Sequence, residues 1–254
     1  MLLGEPERTQ ADLNFVLFRF PVRIHPFFWL VAVILGYQAI STPADLLIWV
    51  LALFLSILIH ELGHAVTMRL YGFHPWITLY GMGGLASYNR GDAYNSRGNG
   101  PLAQILISLA GPGAGFLLSG VIIAVVELTG HDALGHLKFL FGMAEHIPDW
   151  IGTTMLTVFV HHVLFVSLLW GLVNLMPVYP LDGGQIAREI LLVANPRDGI
   201  RLSLWLSIFT AAALAVIGLL LWQSQGLFVG ILFGYLAFMS YTILRAYSGQ
   251  GPGW

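Results

Sequence analysis

The amino-acid sequence predicts an all-α polytopic membrane protein with about six transmembrane helices and a short membrane-associated β-hairpin after the second helix. Hydrophobic residues make up 57% of the 254 residues and charged residues only 9%, whereas soluble domains carry about 25% charged residues. The apolar residues also occur in runs of about 20, the length that crosses roughly 30 Å of hydrocarbon. Because a soluble fold could not bury this much apolar surface, we expect lipid to surround most of the chain.

The six apolar runs are the predicted transmembrane helices. The first is the shortest and begins near Pro26, although about 17 residues are enough to cross a bilayer. The segment before it carries several charged residues, so we expect a water-facing N-terminus rather than a secretory signal. Neither a repeat nor a soluble accessory domain is apparent, which predicts one membrane-embedded domain over residues 1–254. The six runs lie at about residues 24–41, 44–70, 101–127, 153–176, 200–222 and 226–246.

The distribution of arginine predicts the orientation of the chain. If all six runs cross the membrane, both termini and the loops after the second and fourth helices share one side. That side carries ten arginines, whereas the opposite side carries only Lys138. Positive charge collects on the cytoplasmic side, so we expect both termini in the cytoplasm. The ten arginines are Arg8, Arg19, Arg23, Arg69, Arg90, Arg97, Arg188, Arg197, Arg201 and Arg245.

The composition also limits the chemistry that the chain can perform. It contains no cysteine, which excludes disulfides, a thiol nucleophile and thiolate metal ligands. A bound metal would therefore need histidine, aspartate or glutamate as its ligands. The net charge of −2 provides no broad basic surface, so we do not expect the protein to bind nucleic acid.

The second predicted helix contains an HExxH motif, His60-Glu61-Leu62-Gly63-His64. Residues four apart share a helix face, so both imidazoles can reach one ion and Glu61 can contact a water molecule beside it. Zinc held by neutral imidazoles acidifies such a water, and a carboxylate can take its proton. Chance produces the motif in about one chain in a hundred of this composition. However, ionisable side chains inside a bilayer cost about 2.5–3.5 kcal/mol each, which favours a metal site over a chance polar cluster.

A catalytic zinc site needs a third protein ligand, and Asp182 is the acidic residue best placed to supply it. The other acidic residues lie on the opposite side of the membrane or beside polar and charged neighbours typical of solvated groups. Asp182 follows a segment in which Pro177 and Pro180 break the helix, and two glycines after it let the backbone turn. Irregular backbone at membrane depth is tolerated where it is buried in protein or lines a cavity. The alternative is an ordinary turn capped by Asp182.

Three segments together resemble the signature motifs of the site-2 protease family of intramembrane zinc metalloproteases. They are HELGH at 60–64, GPGAG at 111–115 and NLMPVYPLDGG at 174–184. The resemblance implies a catalytic core at about residues 44–190 and regulated intramembrane proteolysis, in which the cleaved bond lies in a substrate's transmembrane segment. The partners that it implies are such a membrane-protein substrate and the lipid bilayer.

The resemblance also implies roles for individual residues. His60, His64 and Asp182 match the family's ligands of one Zn²⁺ ion, Glu61 its general base, and Asn174 a polar catalytic residue near the substrate. The active site would then lie towards the cytoplasmic side of the membrane. In one respect the chain departs from the family pattern, because Gly115 stands where members often have asparagine.

Small residues in the third predicted helix have a separate physical interpretation. Gly111, Gly115 and Gly120 recur along that helix, and small residues let helix backbones approach each other in lipid. We therefore expect these three glycines to serve helix packing, and we assign no catalytic role to Gly115.

Residues 76–88 resemble the membrane-associated hairpin of the same family, and they alternate and turn like two short strands. An unpaired strand edge can hold a peptide in extended form. We therefore expect the central residues to contribute to substrate binding, although a surface loop is the alternative because glycine-rich signals are weak. These central residues are Gly81, Met82, Gly83 and Gly84.

Transport of zinc or protons is the main alternative function, because membrane His and Asp residues also bind ions in transit. Transporters often contain symmetry-related repeats, whereas this sequence has no second HExxH or LDGG. A scaffold without activity is disfavoured by the intact Glu61. His161 and His162 are adjacent in the fourth helix and point about 100° apart, so polar contacts across the bundle explain them adequately. The sequence carries no signal for the oligomeric state.

Overall fold

The computed structural model describes residues 5–37, 42–89, 96–132, 138, 154–221 and 223–249. The helices of this part of the chain are α1 (Pro26–Tyr37), α2 (Pro43–Leu70), α3 (Pro101–Leu128), α4 (Thr154–Asn174), α5 (Asp182–Ala194), α6 (Gly199–Leu221) and α7 (Gln223–Gly249). The strands are β1 (Leu13–Leu17), β2 (Phe20–Ile24), β3 (Trp76–Tyr80) and β4 (Gly83–Ser87). The predicted fold class, a helical polytopic membrane protein with a small β element, is confirmed.

Among the described residues, five helices are long and apolar enough to cross a membrane, namely α2, α3, α4, α6 and α7. They make the chain an integral, multi-pass membrane protein. The helix α1 is apolar but has only 12 residues, which span about 18 Å at 1.5 Å per residue. It begins later than the predicted run at 24–41, because Ile24 belongs to β2. Residues 38–41 of that run lie outside the described part of the chain.

The start of α2 is defined by its capping residues. The Thr42 hydroxyl accepts a hydrogen bond from the Asp45 backbone N–H at 3.2 Å, and the Asp45 carboxylate accepts one from the Thr42 N–H at 3.1 Å. This reciprocal capping box satisfies two N–H groups that a helix N-terminus leaves without partners. Pro43 follows at a position where its missing N–H costs nothing. The helix then runs for 28 residues and carries the HExxH motif in its second half.

The four strands form one sheet in the order β1-β2-β3-β4, with β2 and β3 parallel and the other two pairs antiparallel. The predicted hairpin is therefore present as β3 and β4. The pair β1–β2 was not predicted, because its turn lacks the usual glycine or asparagine. Phe18 and Arg19 occupy it with φ of 47° and 67°. Their carbonyls accept hydrogen bonds from Arg69 at 3.1 and 2.8 Å, which holds the turn from the end of α2.

The segment before β1 lies along the sheet through polar contacts. The Glu5 carboxylate accepts hydrogen bonds from the Thr78 hydroxyl at 2.6 Å and the Trp76 indole N–H at 3.2 Å, both on β3. The Asp12 carboxylate accepts a hydrogen bond from the Thr9 hydroxyl at 2.7 Å, which holds the pKa of Asp12 below its usual value. The Glu5 contacts attach the N-terminal segment to the strand that leads into the hairpin.

The described residues divide into two compact units, and the first consists of the described residues within 5–89 and 110–172. Its core lies where the sheet packs against α1 and α2. The buried residues of this core include Phe20, Val22, Ile24, Phe28, Ala32, Leu53, Ile57, Leu58, Ile77 and Leu79. Because α2 contacts both β3 and β4, the hairpin lies directly beside the helix that carries the HExxH motif.

The second unit consists of the described residues within 96–109 and 173–249. In it α6 packs against both α5 and α7, and Val178 is fully buried among apolar residues of α6 and α7. The Tyr179 N–H donates to the Ser207 hydroxyl at 2.8 Å, which fastens the proline-rich segment to α6. The sequence did not indicate helix α5, because its 13 residues include Arg188 and Glu189 and form no apolar run long enough to cross a membrane.

Candidate metal centre

His60 and His64 lie on one face of α2, one helical turn apart, and both are buried. Their Nε2 atoms are 3.2 Å apart. Two nitrogens bound to one tetrahedral zinc at about 2.0–2.1 Å would be about 3.3 Å from each other. The two imidazoles therefore already have the separation that a shared zinc ion requires.

Glu61 lies between the two histidines in sequence and is also buried, with 4% of its surface exposed. The backbone of β4 passes directly against its side chain. A Cβ atom placed on Gly84 would lie only 2.5 Å from the Glu61 carboxyl carbon, and closer still to one of its oxygens. The candidate general base is thus in contact with the strand that follows the hairpin turn.

Asp182 is the first residue of α5, and the two glycines after it determine how this helix begins. A Cβ atom on Gly183 would lie 2.5 Å from the Met176 carbonyl oxygen, and one on Gly184 would lie 2.5 Å from the Tyr179 nitrogen. Only glycine allows the helix start to pack this closely on the segment before it. The helix N-cap is Leu181, so Asp182 is not the capping residue that the alternative interpretation required.

His60, His64 and Asp182 form a group that could hold a metal ion. Each offers one atom that can bind a metal, an imidazole nitrogen or a carboxylate oxygen. Two imidazoles and one carboxylate are a donor set typical of catalytic zinc, with a fourth position left for water or substrate. No other group of three potential ligands was found among the described residues. The residues present therefore have the donor chemistry that a zinc site requires.

Asn174 is the last residue of α4 and is 8% exposed. Its predicted role near a substrate depends on the family resemblance. The predicted substrate-binding residues lie at the hairpin, where Gly81 and Met82 form the turn and Gly83 and Gly84 begin β4. Met82 is exposed, whereas Gly83 is buried against Trp170 and has a φ of +112° that favours glycine.

His161 and His162 lie within α4, and their ring centres are 5.7 Å apart. The His162 ring packs edge-on against Trp49 of α2, with 5.2 Å between ring centres, and His161 is buried. Neither belongs to the metal-binding group. The contact with Trp49 agrees with the interpretation of His162 as a residue that packs across the bundle.

The glycines of α3 differ in what surrounds them. The packing prediction is confirmed at Gly115, where a Cβ atom would lie 3.2 Å from the Ser167 carbonyl oxygen of α4. At Gly120 it has no support among the described residues, because such an atom would meet none of their atoms within 4 Å. At Gly111 the three atoms nearest to such a Cβ atom all belong to the His64 ring of α2. The sequence did not indicate this contact, because it joins residues that are distant along the chain.

Comparison with known proteins extends this description. Residues 48–217 match the family model described as Peptidase family M50. A zinc metalloprotease of Methanocaldococcus jannaschii is 26% identical over 184 residues, 70% of this chain and 44% of its own length. A relative from Synechocystis is 28% identical over 244 residues, 86% of this chain and 55% of its own length. The chain thus spans about half the length of the curated relatives that it matches.

A solved structure has the same fold. The site-2 protease from Methanocaldococcus jannaschii superposes with a TM-score of 0.56 and 21% sequence identity. The match covers 91% of this chain and 94% of that one. The similarity in fold therefore includes all but a small part of both chains.

Proposed function

This chain belongs to peptidase family M50, and we propose that it is a zinc-dependent endopeptidase that cleaves membrane-protein substrates within their transmembrane segments. The resemblance of its three motifs to the site-2 protease family is confirmed by the family match and by the similarity in fold. We further propose that residues 1–254 act as a single membrane-embedded domain with a catalytic core at about residues 44–190.

The observation that carries this proposal is the pair of buried imidazole nitrogens 3.2 Å apart, beside the buried Glu61 carboxylate. Three ionisable groups in one apolar helix are costly in lipid, and binding a cation offsets that cost. His60, His64 and Asp182 would hold one zinc ion. Bound there, zinc would supply a Lewis acid that polarises the substrate carbonyl and acidifies a water molecule.

Glu61 is the proposed general base. It takes a proton from the attacking water as the water oxygen bonds to the carbonyl carbon of the substrate. It then returns this proton to the amide nitrogen, so that the C–N bond breaks and a neutral amine leaves. We propose that the Asn174 side-chain amide binds the substrate backbone, a role carried over from the family motif.

The hairpin is the proposed binding site for the substrate backbone. A peptide bond within a helix is shielded by its own turn, so the substrate must become extended before it can be attacked. In the described residues β4 is the last strand of the sheet, and a peptide can add to such an edge by backbone hydrogen bonds. Because Gly84 contacts Glu61, a strand paired near Gly83 and Gly84 would lie next to the general base.

Cleavage of a reconstituted substrate tests the proposal. The purified protein is placed in proteoliposomes with a tagged single-span membrane protein, and the products are mapped by mass spectrometry. We expect a cut inside the apolar segment, abolished by a zinc chelator and restored by added Zn²⁺. A cut restricted to the water-exposed flanks, or one insensitive to the chelator, would contradict the proposal. Zinc uptake by the same vesicles, lost in His60→Ala, would favour transport instead.

We propose that both termini and the metal centre lie on the cytoplasmic side, as the arginine distribution suggests. Since the chain has no cysteine, single introduced cysteines report sidedness without background. His131 follows α3 and Pro196 lies between α5 and α6, and both are exposed. In intact cells we expect a membrane-impermeant maleimide to label His131→Cys, and Pro196→Cys only after permeabilisation. The reverse labelling pattern would show that the orientation is wrong.

A further inference from the structure

We propose that Gly111 and Gly84 are positioning residues of the metal centre. Gly111 leaves the space that the His64 imidazole occupies, and Gly84 leaves the space that the Glu61 carboxylate occupies. This inference deepens the proposed function and depends on it for the roles of His64 and Glu61. Gly111 affects metal binding through His64, and Gly84 affects proton transfer through Glu61. The two glycines can therefore be tested separately.

The contact at Gly111 involves the ring of the ligand itself. A Cβ atom at position 111 would lie 2.7 Å from the His64 Cδ2 atom, and closer still to Cε1 and to the ligating Nε2 atom. Cβ atoms essentially never approach a heavy atom to within 3.0 Å. Because an imidazole is rigid, it can escape this overlap only by rotating as a whole. Such a rotation moves Nε2 away from its position 3.2 Å from the Nε2 of His60.

The helices themselves cannot easily separate to relieve this overlap. Gly63, within the HELGH motif, lies against α3 so closely that a Cβ atom there would be 2.8 Å from the Ala114 Cβ and 2.9 Å from the Ala110 carbonyl carbon. This close approach of α2 and α3 brings Gly111 against His64. Moving α3 outward would give up the close packing of Gly63 on Ala110 and Ala114.

The contact at Gly84 has a comparable geometry. A Cβ atom at position 84 would lie 2.5 Å from the Glu61 Cδ atom, and closer to Cγ and Oε1. The strand cannot slide away, because Gly84 pairs with Leu79 of β3. In addition, a Cβ atom on neighbouring Gly83 would already be 2.7 Å from the Trp170 ring. The flexible Glu61 side chain would therefore have to move, which takes the carboxylate away from its present position.

Other glycines of α3 show that this requirement is local. A Cβ atom at Gly113 or Gly120 would meet no described atom within 4 Å. Glycine in a helix interior is less favourable than alanine because the unfolded chain loses more conformational freedom. Helix formation alone therefore gives no reason for glycine at position 111. Gly113→Ala and Gly120→Ala serve as matched control variants, since they make the same substitution in the same helix.

The first experiment measures metal binding without any substrate. The purified variants are stripped of metal, titrated with Zn²⁺, and loaded with Co²⁺, whose visible absorption reports the ligand geometry. We expect Gly111→Ala to bind Zn²⁺ about 10- to 100-fold more weakly, as when a supporting residue of a metal ligand is lost, with an altered Co²⁺ spectrum. Gly84→Ala and both controls should match the wild type. Wild-type affinity and spectrum in Gly111→Ala would overturn the assignment of Gly111.

The second experiment asks whether Gly111 acts through His64. Thermal unfolding of the metal-free protein is compared for Gly111→Ala, His64→Ala and the double variant. Truncation of His64 removes the ring that a new Cβ atom would strike, so Gly111→Ala should lower the unfolding temperature only when His64 is present. An equal decrease in both backgrounds would show a merely structural role. If Gly111→Ala does not fold, the double variant is expected to recover folding, and its failure to do so would also count against the proposal.

The third experiment separates Gly84 from metal binding. We expect Gly84→Ala to keep its zinc while kcat for peptide hydrolysis falls about 100-fold, within the range typical of a disturbed general base. Retention of the wild-type kcat would overturn the assignment of Gly84. If the wild type binds metal but cleaves no peptide, the proposed protease function fails. The metal and unfolding experiments on Gly111 still decide the Gly111 assignment in that case.

Discussion

Glu61→Gln should abolish peptide-bond hydrolysis while the protein keeps its zinc. The expected loss in kcat is about 10²- to 10⁴-fold, the usual contribution of a general base. Glutamine has nearly the same shape but cannot take a proton from the attacking water. Since Glu61 is buried against β4, the neutral amide can occupy the same space without displacing His60 or His64. Hydrolysis of a reconstituted membrane substrate and zinc content by metal analysis measure the two effects.

A matched control for this variant is Glu127→Gln, which makes the same change at an exposed position near the end of α3. It should leave both hydrolysis and zinc content as in the wild type. A Glu61→Gln protein that still cleaves at more than a tenth of the wild-type rate would exclude Glu61 as the general base. If the Glu61→Gln variant has lost its zinc, the result would instead assign Glu61 a role in metal binding.

His60→Ala and His64→Ala should each remove zinc from the purified protein, and hydrolysis should fail with it. Each variant deletes one of two nitrogens that lie 3.2 Å apart, so the loss in affinity should exceed the roughly 10- to 100-fold seen when only a supporting residue is changed. Asp182→Ala should have the same effect, because its carboxylate belongs to the same group of potential ligands. Metal analysis after purification gives the stoichiometry directly.

His161→Ala is the control for these variants, because it truncates a buried histidine of another membrane helix that lies outside the metal-binding group. It should keep one zinc ion per chain. Thermal unfolding provides a second measurement, since a ligand that binds only the folded state stabilises it. A chelator should lower the unfolding temperature of the wild type and of His161→Ala. It should not change the unfolding temperature of His64→Ala, which is expected to hold no zinc. Loss of zinc from His161→Ala, or full zinc content in His64→Ala, would contradict the proposed ligand set.

The membrane helices could be predicted closely from sequence because both their hydrophobicity and their length are local properties. The predicted run at 44–70 became a helix at Pro43–Leu70, and the run at 101–127 became one at Pro101–Leu128. The HExxH motif could also be interpreted from sequence, because helical geometry alone places His60 and His64 on one face. In these cases the residues that determine the structure are neighbours along the chain.

The amino-acid sequence by itself determined the lipid environment, the long helices and the chemical types of the candidate ligands. Tertiary structure alone decided that β1 and β2 extend the hairpin into a four-stranded sheet, with Arg69 holding a turn that carries no turn signal. It also decided that Gly84 and Gly111 make room for Glu61 and His64. The reason is that glycine has no side chain whose chemistry would indicate what lies next to it in space. In addition, Glu61 and His64 belong to a different element from the glycines that they contact. Such complementarity exists only once distant segments have packed together.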